Sequence, residues 1–187
     1  MTLHTLLKFI TLLALTMSSF AAMSGPHNHD KHNHQQAHVH GITELQLVMG
    51  IDQIEIQLAS PASNIVGFEY AAKTEDEKKR VLDAKAILSN PASLFKINGI
   101  RCKTITSLVN VHGLLSAHHE RNKQNTHTEI TANYQLSCSS VETVKSIEFR
   151  IFSHFPSISQ LKVQWVSETE QGQRVLKQSN NRLVFGD

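Results

Sequence analysis

Downstream of Gly41, apolar and polar residues alternate: Leu45 and Leu47 oppose Glu44 and Gln46, and after Gly50-Ile51-Asp52-Gln53 come Ile54, Ile56 and Leu58. A period of two is that of a half-buried strand, so this stretch predicts a hairpin with its turn at 50–53. Pro61 and Asn64 interrupt the pattern, and a short apolar piece follows around Gly67. From 75 to 89 the period lengthens to that of a helix, with Val81, Ala84 and Leu88 forming one stripe that packs on the sheet. Thr74 and Glu77 have the spacing of a capping box, which satisfies free backbone N–H groups at a helix start. Acidic residues fill the first turn, basic ones follow as a solvated face, and Asn90-Pro91 stops the helix.

Alternation returns at Cys102, Thr104 and Thr106, at Tyr134, Leu136 and Cys138, and at Ile147, Phe149 and Ile151. It recurs at Leu161, Val163 and Trp165, and Leu183 with Phe185 closes the last strand; Ser139-Ser140, Pro156 and Gly172 mark turns. Six to eight short strands with one clear helix predict an α+β fold, mostly antiparallel β-sheet with one main helix. Residues 41–187 form either one domain or two small modules, 41–98 and 99–187. The segments beginning at His40 and His127 each run from a histidine into what reads as a pair of strands, which leaves an internal duplication open.

Two segments ahead of the first strand break from this pattern. Residues 1–21 have the parts of a secretory signal: Lys8, the apolar run from Phe9 to Leu15, and Ser19-Phe20-Ala21 as a small-x-small cleavage site. That run is shorter than the ~20 residues that span a bilayer, so the signal predicts export and no stable membrane insertion after cleavage. Removing it takes away Lys8, and the formal charge falls from +2 to about +1. A chain this close to neutral lacks the basic surface that nucleic acid requires.

Residues 22–40 read as a flexible arm. The stretch HNHDKHNHQQAHVH at 27–40 holds six histidines in fourteen residues and nothing large and apolar to anchor a fold. His27, His29, His32, His34, His38 and His40 are therefore candidate metal ligands, because neutral imidazole binds borderline transition metals. A second group, His112, His118, His119 and His127, lies in a loop between strands at 112–127. In an extended chain His38 and His40 project to opposite sides, so they need further ligands for a tetrahedral site. His127 with Glu129, or His118 with His119, are the sources. If the two histidine-led strand starts lie side by side, they meet at one edge of the sheet. His154, between Phe152 and Phe155, reads instead as a partly buried structural residue.

Cys102 and Cys138 are the two cysteines, and in an oxidising compartment an even count predicts a bridge; a pair of thiolate metal ligands is the alternative. Few methionines and oxidised cysteines disfavour Cu(I), and zinc is the metal the histidines favour. There is no H-E-x-x-H, G-x-S-x-G or P-loop, so no enzyme is expected.

HVHGITELQLVM (38–49), IEIQLASPASNIVGFEY (54–70) and TEDEKKRVLDAKAILSNPASLF (74–95) resemble the ZrgA-type periplasmic zinc-binding proteins. The resemblance continues through HTEITANYQLSC (127–138), IFSHFPSISQLKVQW (151–165) and GQRVL (172–176), nearly the whole chain after the signal. It implies a periplasmic protein that binds Zn2+ and contributes to zinc acquisition or buffering. It implies ligand roles around His38, His40, His127 and Glu129, with Cys102 and Cys138 as the family's cysteine pair. Tyr70, Thr131 and Asn133 depart from the family pattern, so no ligand role is implied there. The mechanism expected is capture by the arm and loop, then retention beside the first hairpin. The alternative is an envelope module that delivers metal to, or regulates, an inner-membrane metal transporter.

Overall fold

The computed structural model describes residues 39–115 and 128–186. The expected hairpin is present as β1 (Ile42–Met49) and β2 (Gln53–Pro61), in which Leu45, Leu47 and Met49 pair with Leu58, Ile56 and Ile54. All six side chains are buried. Two strands alone are marginal in water. Here β5 (Glu129–Cys138) pairs antiparallel with β2, and β4 (Cys102–Asn110) with β5. On the other side β7 (Gln160–Ser167) runs parallel to β1 and carries β8 (Gln171–Leu176) antiparallel at its flank. The six-stranded order is β4-β5-β2-β1-β7-β8. A second sheet, β3-β6-β9, joins Phe95–Asn98, Ser146–Phe149 and Arg182–Val184.

One face of the larger sheet is apolar, with Leu45, Leu47, Ile56, Leu58, Ile130, Ala132, Leu161 and Val163 all buried. The main helix packs against this core along one stripe. Calling the short helix Ala62–Val66 α1, the main helix is α2 (Glu75–Leu88), and α3 (Pro91–Leu94), α4 (His112–Leu115) and α5 (Ile151–His154) are single turns. Val81, Ala84 and Leu88 of α2 are the buried stripe the period predicts, and the Thr74–Glu77 capping box is formed. Tyr134, in the apolar face of β5, donates its hydroxyl to the Leu88 carbonyl at 2.8 Å; burial pushes that hydroxyl's pKa up. Phe95 of the second sheet meets Tyr134 edge-on at 5.7 Å and Phe149 at 6.0 Å, so both sheets share one core.

Several expectations are corrected. Nine strands are described where six to eight were expected, because the short β3 and the exposed β8 carry little alternation. Gly172 marks no turn. It lies within β8 opposite Trp165, and a side chain there would collide with the indole ring. Ile151 does not extend its strand: β6 ends at Phe149 and Ile151 opens α5. The two histidine-led segments are not duplicated hairpins either. β5 pairs with β2 and β4, whereas the next strand, β6, joins the other sheet. Among the described residues no helix is long and apolar enough to cross a membrane.

Candidate metal centre where the first strand begins

β1 and β5 run the same way on either side of β2, so both start at one end of the sheet. Pro61 at the end of β2 pairs with Glu129, and Asn110 at the end of β4 pairs with Thr131. The residues preceding β1 and β5 and those following β2 and β4 are thereby brought to a single end.

The backbone at this end is held by Gly41 and Asn64. Gly41 has φ +83°, a left-handed conformation that favours glycine, and a Cβ there would stand 2.7 Å from Ser159 Oγ. Its N–H donates to Asn64 Oδ1 at 2.7 Å, while Asn64 Nδ2 donates to the Ile42 carbonyl at 2.8 Å. The Gly41 carbonyl accepts the N–H groups of Ser159 and Gln160 at 2.8 and 3.0 Å and the Ser159 hydroxyl at 3.0 Å. Asn64 is 3% exposed, so its amide replaces water for the backbone groups it meets. His40 is thus attached directly to an ordered residue.

His40 Nε2 lies 3.0 Å from Glu69 Oε1; the histidine side chain is 66% exposed and the carboxylate 13%. Glu69 is held in turn. Ser63 Oγ donates to Oε1 at 2.9 Å, and Thr128 Oγ1 donates to the Glu69 carbonyl at 2.8 Å. The Thr128 carbonyl accepts from Ala62 N–H at 2.8 Å, which ties the start of β5 to α1. Flanking Glu69, Phe68 is buried and stacks on Tyr70 at 5.0 Å. Tyr70 donates its hydroxyl to Glu77 Oε1 at 2.7 Å, and Lys73 N–H donates to Oε2 at 2.7 Å. Donation first from Tyr70, then from the backbone of Lys73 and Thr74, holds the Glu77 carboxyl down at about 2. The segment carrying Glu69 is therefore clasped to the first turn of α2.

Chemically, the pair fits a zinc ligand and its support. A proton on Nε2 of neutral His40 would be donated to the carboxylate, leaving the Nδ1 lone pair for a metal; carboxylates orient zinc-ligating histidines in this way. With that proton displaced, Nε2 and Oε1 stand close to the ~3.3 Å that separates two ligands of a tetrahedral zinc at ~2.0–2.1 Å from each.

Of the other expected ligands, Glu129 opens β5 half-buried. His112 opens α4 exposed, its N–H on Asn110 Oδ1 at 2.9 Å. Ala72 N–H donates to the Leu114 carbonyl at 2.8 Å, so α4 is fastened to the chain just beyond Glu69. His27, His29, His32, His34, His38, His118, His119 and His127 lie outside the described residues. Among the described residues no three of His, Cys, Asp and Glu converge on one metal position. Cys102 and Cys138 pair directly across β4 and β5 and are bonded to each other, which removes the thiolate alternative. His154 is exposed on α5 beside Phe155, not partly buried, because Phe152 and Phe155 turn inward and leave it outside.

Sequence reasoning missed Glu69. It sits inside the apolar piece around Gly67, and its sole local signal is a carboxylate set between Phe68 and Tyr70.

A family model described as "ZrgA family zinc uptake protein" matches residues 37–185. The match takes in His38 and His40 and begins after His27, His29, His32 and His34. No curated protein matches the chain.

Proposed function

The chain belongs to the ZrgA family of zinc uptake proteins, and on that premise we propose that it is an exported, periplasmic protein that binds Zn2+ through histidine for zinc acquisition or buffering. His40, oriented by Glu69, is the anchor of the tight site. Its remaining ligands are drawn from the other candidates: Glu129 at the start of β5, His112 at the start of α4, and, by sequence, His38, His118, His119 and His127. His27, His29, His32 and His34 collect metal more weakly. The observation that carries this reading is the 3.0 Å contact between His40 and Glu69, on a backbone that Asn64 and Ser159 hold in place. A site built on an ordered backbone retains metal better than one that must first order its own chain.

Glu69→Gln keeps the size of the side chain and removes its charge. Zinc affinity is expected to fall about tenfold, the lower range for loss of a histidine's supporting carboxylate, with stoichiometry unchanged. An unchanged affinity would remove Glu69 from the site. Imidazole must be neutral to bind, so affinity should also decline below about pH 6.5.

A second reading, hand-over of zinc to an inner-membrane metal transporter, is favoured by the exposure of His40, since an open ligand permits exchange with an incoming one.

A further inference from the structure

At the opposite end of the larger sheet, the β1–β2 turn, the β7–β8 turn, the 3-10 turn Val141–Thr143 and residues 185–186 enclose a groove of about 600 Å³. This lies within the size range of ligand pockets, enough to seat a bulky side chain. Its floor is apolar, formed by Met49, Ile51, Val144 and Phe185, and Ile51 is 69% exposed at the tip of the hairpin. Glu142, Glu168 and Glu170 stand around it, and the described lining holds no Lys, Arg or His.

The walls are built independently of any occupant. Val141 N–H donates to the Ile51 carbonyl at 3.1 Å, and Cys138 N–H to Asp52 at 2.7 Å beside the Cys102 bridge. Ser167 and Glu170 close the other turn through Ser167 N–H on the Glu170 carbonyl at 2.8 Å and Glu170 N–H on Ser167 Oγ at 3.0 Å. Phe185 is held edge-on against Trp165 at 6.2 Å, and its N–H donates to the Lys145 carbonyl at 3.1 Å. A preformed apolar floor under three carboxylates is complementary to one kind of occupant.

We propose that this groove docks a peptide segment of a partner protein, one bearing a bulky apolar side chain flanked by lysine or arginine. The apolar side chain covers Met49, Ile51 and Phe185, and the cations meet Glu142, Glu168 and Glu170. Anionic lipids and nucleic acids carry the wrong charge for this rim. The chain's own histidine stretch at 27–40 does not fit, because its apolar residues are Ala37 and Val39, neither long nor aromatic, and its histidines are largely neutral near pH 7. The groove is at the far end of β1 from His40, so an occupant leaves the histidine open. Docking is independent of zinc.

The test uses fluorescence anisotropy on the full exported chain with the capped, labelled peptide Lys-Lys-Phe-Leu-Lys-Lys. Saturable binding is expected, weakened by salt, and reduced about tenfold or more in Glu168→Lys/Glu170→Lys, while zinc affinity of that variant stays unchanged. The matching peptide Glu-Glu-Phe-Leu-Glu-Glu and the apolar-free Lys-Lys-Ser-Ser-Lys-Lys should both bind far more weakly. Ile51→Ser, a change at an exposed hairpin tip, should weaken the first peptide without altering the circular dichroism of the fold. Equal binding of the acidic peptide, or of the first peptide to the charge-reversed variant, would overturn the proposal. So would a concentration-dependent dimer that Glu168→Lys/Glu170→Lys abolishes, because a second copy would then be the occupant.

Discussion

At one end of the six-stranded sheet His40 meets Glu69 where β1 begins, Glu129 opens β5 and His112 opens α4; at the other, Met49, Ile51, Val144 and Phe185 line a groove under three glutamates. The same alternating strands build both ends. What differs is which part of each strand arrives there. β1, β5 and β7 run in one direction, so the chain entering each strand comes to the first end, while their exits and the hairpin turns come to the second. The topology alone thus puts His40, two residues ahead of β1, at the same end as Glu129, which opens β5. The two ends also differ in how they are held. Asn64 and Ser159 fix the His40 end by hydrogen bonds to the Gly41 backbone, whereas the Cys102–Cys138 bridge closes the chain beside the groove.

The sharpest way to break this division is to remove the bridge. Its cysteines are separated by 36 residues, and Cys102→Ala/Cys138→Ala is expected to cost about 4 kcal/mol in the chain-entropy model, read by urea unfolding. Zinc affinity of the still-folded variant should remain that of the parent. A parallel loss of zinc binding would show that the two ends are one mechanical unit. Asn64→Leu acts at the other end. It strips the Gly41 N–H and Ile42 carbonyl of their buried partner, for an expected cost of about 2 kcal/mol. Here zinc affinity should fall with stability, since the backbone carrying His40 loosens; peptide binding in the groove should not change.

Glu77→Gln gives the smallest effect and tests the clasp behind Glu69. The Glu77 carboxyl is depressed to about 2 in the folded chain by the Tyr70 hydroxyl and the Lys73 and Thr74 N–H groups. A depressed carboxyl stabilises above its unfolded value, near 4.5, and loses that contribution as pH falls toward 2. The parent should therefore melt higher than the variant at about pH 6, and the gap should close at about pH 2. A gap independent of pH would assign the effect to packing instead of charge.

Much of the fold is legible locally because it is made by local rules. The hairpin follows from period-two alternation around a turn, and α2 from the Thr74–Glu77 spacing and the Val81, Ala84, Leu88 stripe. The bridge follows from a cysteine count of two. What was lost depends on distant partners. The parallel pairing of β1 with β7 joins strands far apart in sequence, and no pattern within either names the other. Gly172 reads as a turn until Trp165 is placed across from it. The site divides in the same way. His40 is visible as one of a run of histidines, but Glu69 becomes a partner through Gly41, Asn64 and Ser63, residues whose meeting is set by the sheet and α1. His154 fails for the opposite reason, since two phenylalanines nearby need not bury the residue beside them.

The most direct measurement is zinc calorimetry on two variants of residues 22–187: His40→Ala, and one in which His27, His29, His32 and His34 are all alanine. If the ordered end of the sheet holds the tight site, the four-histidine variant keeps it and loses weak binding, while His40→Ala loses the tight site. Retention of tight binding in His40→Ala together with its loss in the four-histidine variant would place the site in the arm and contradict the role given to His40 and Glu69.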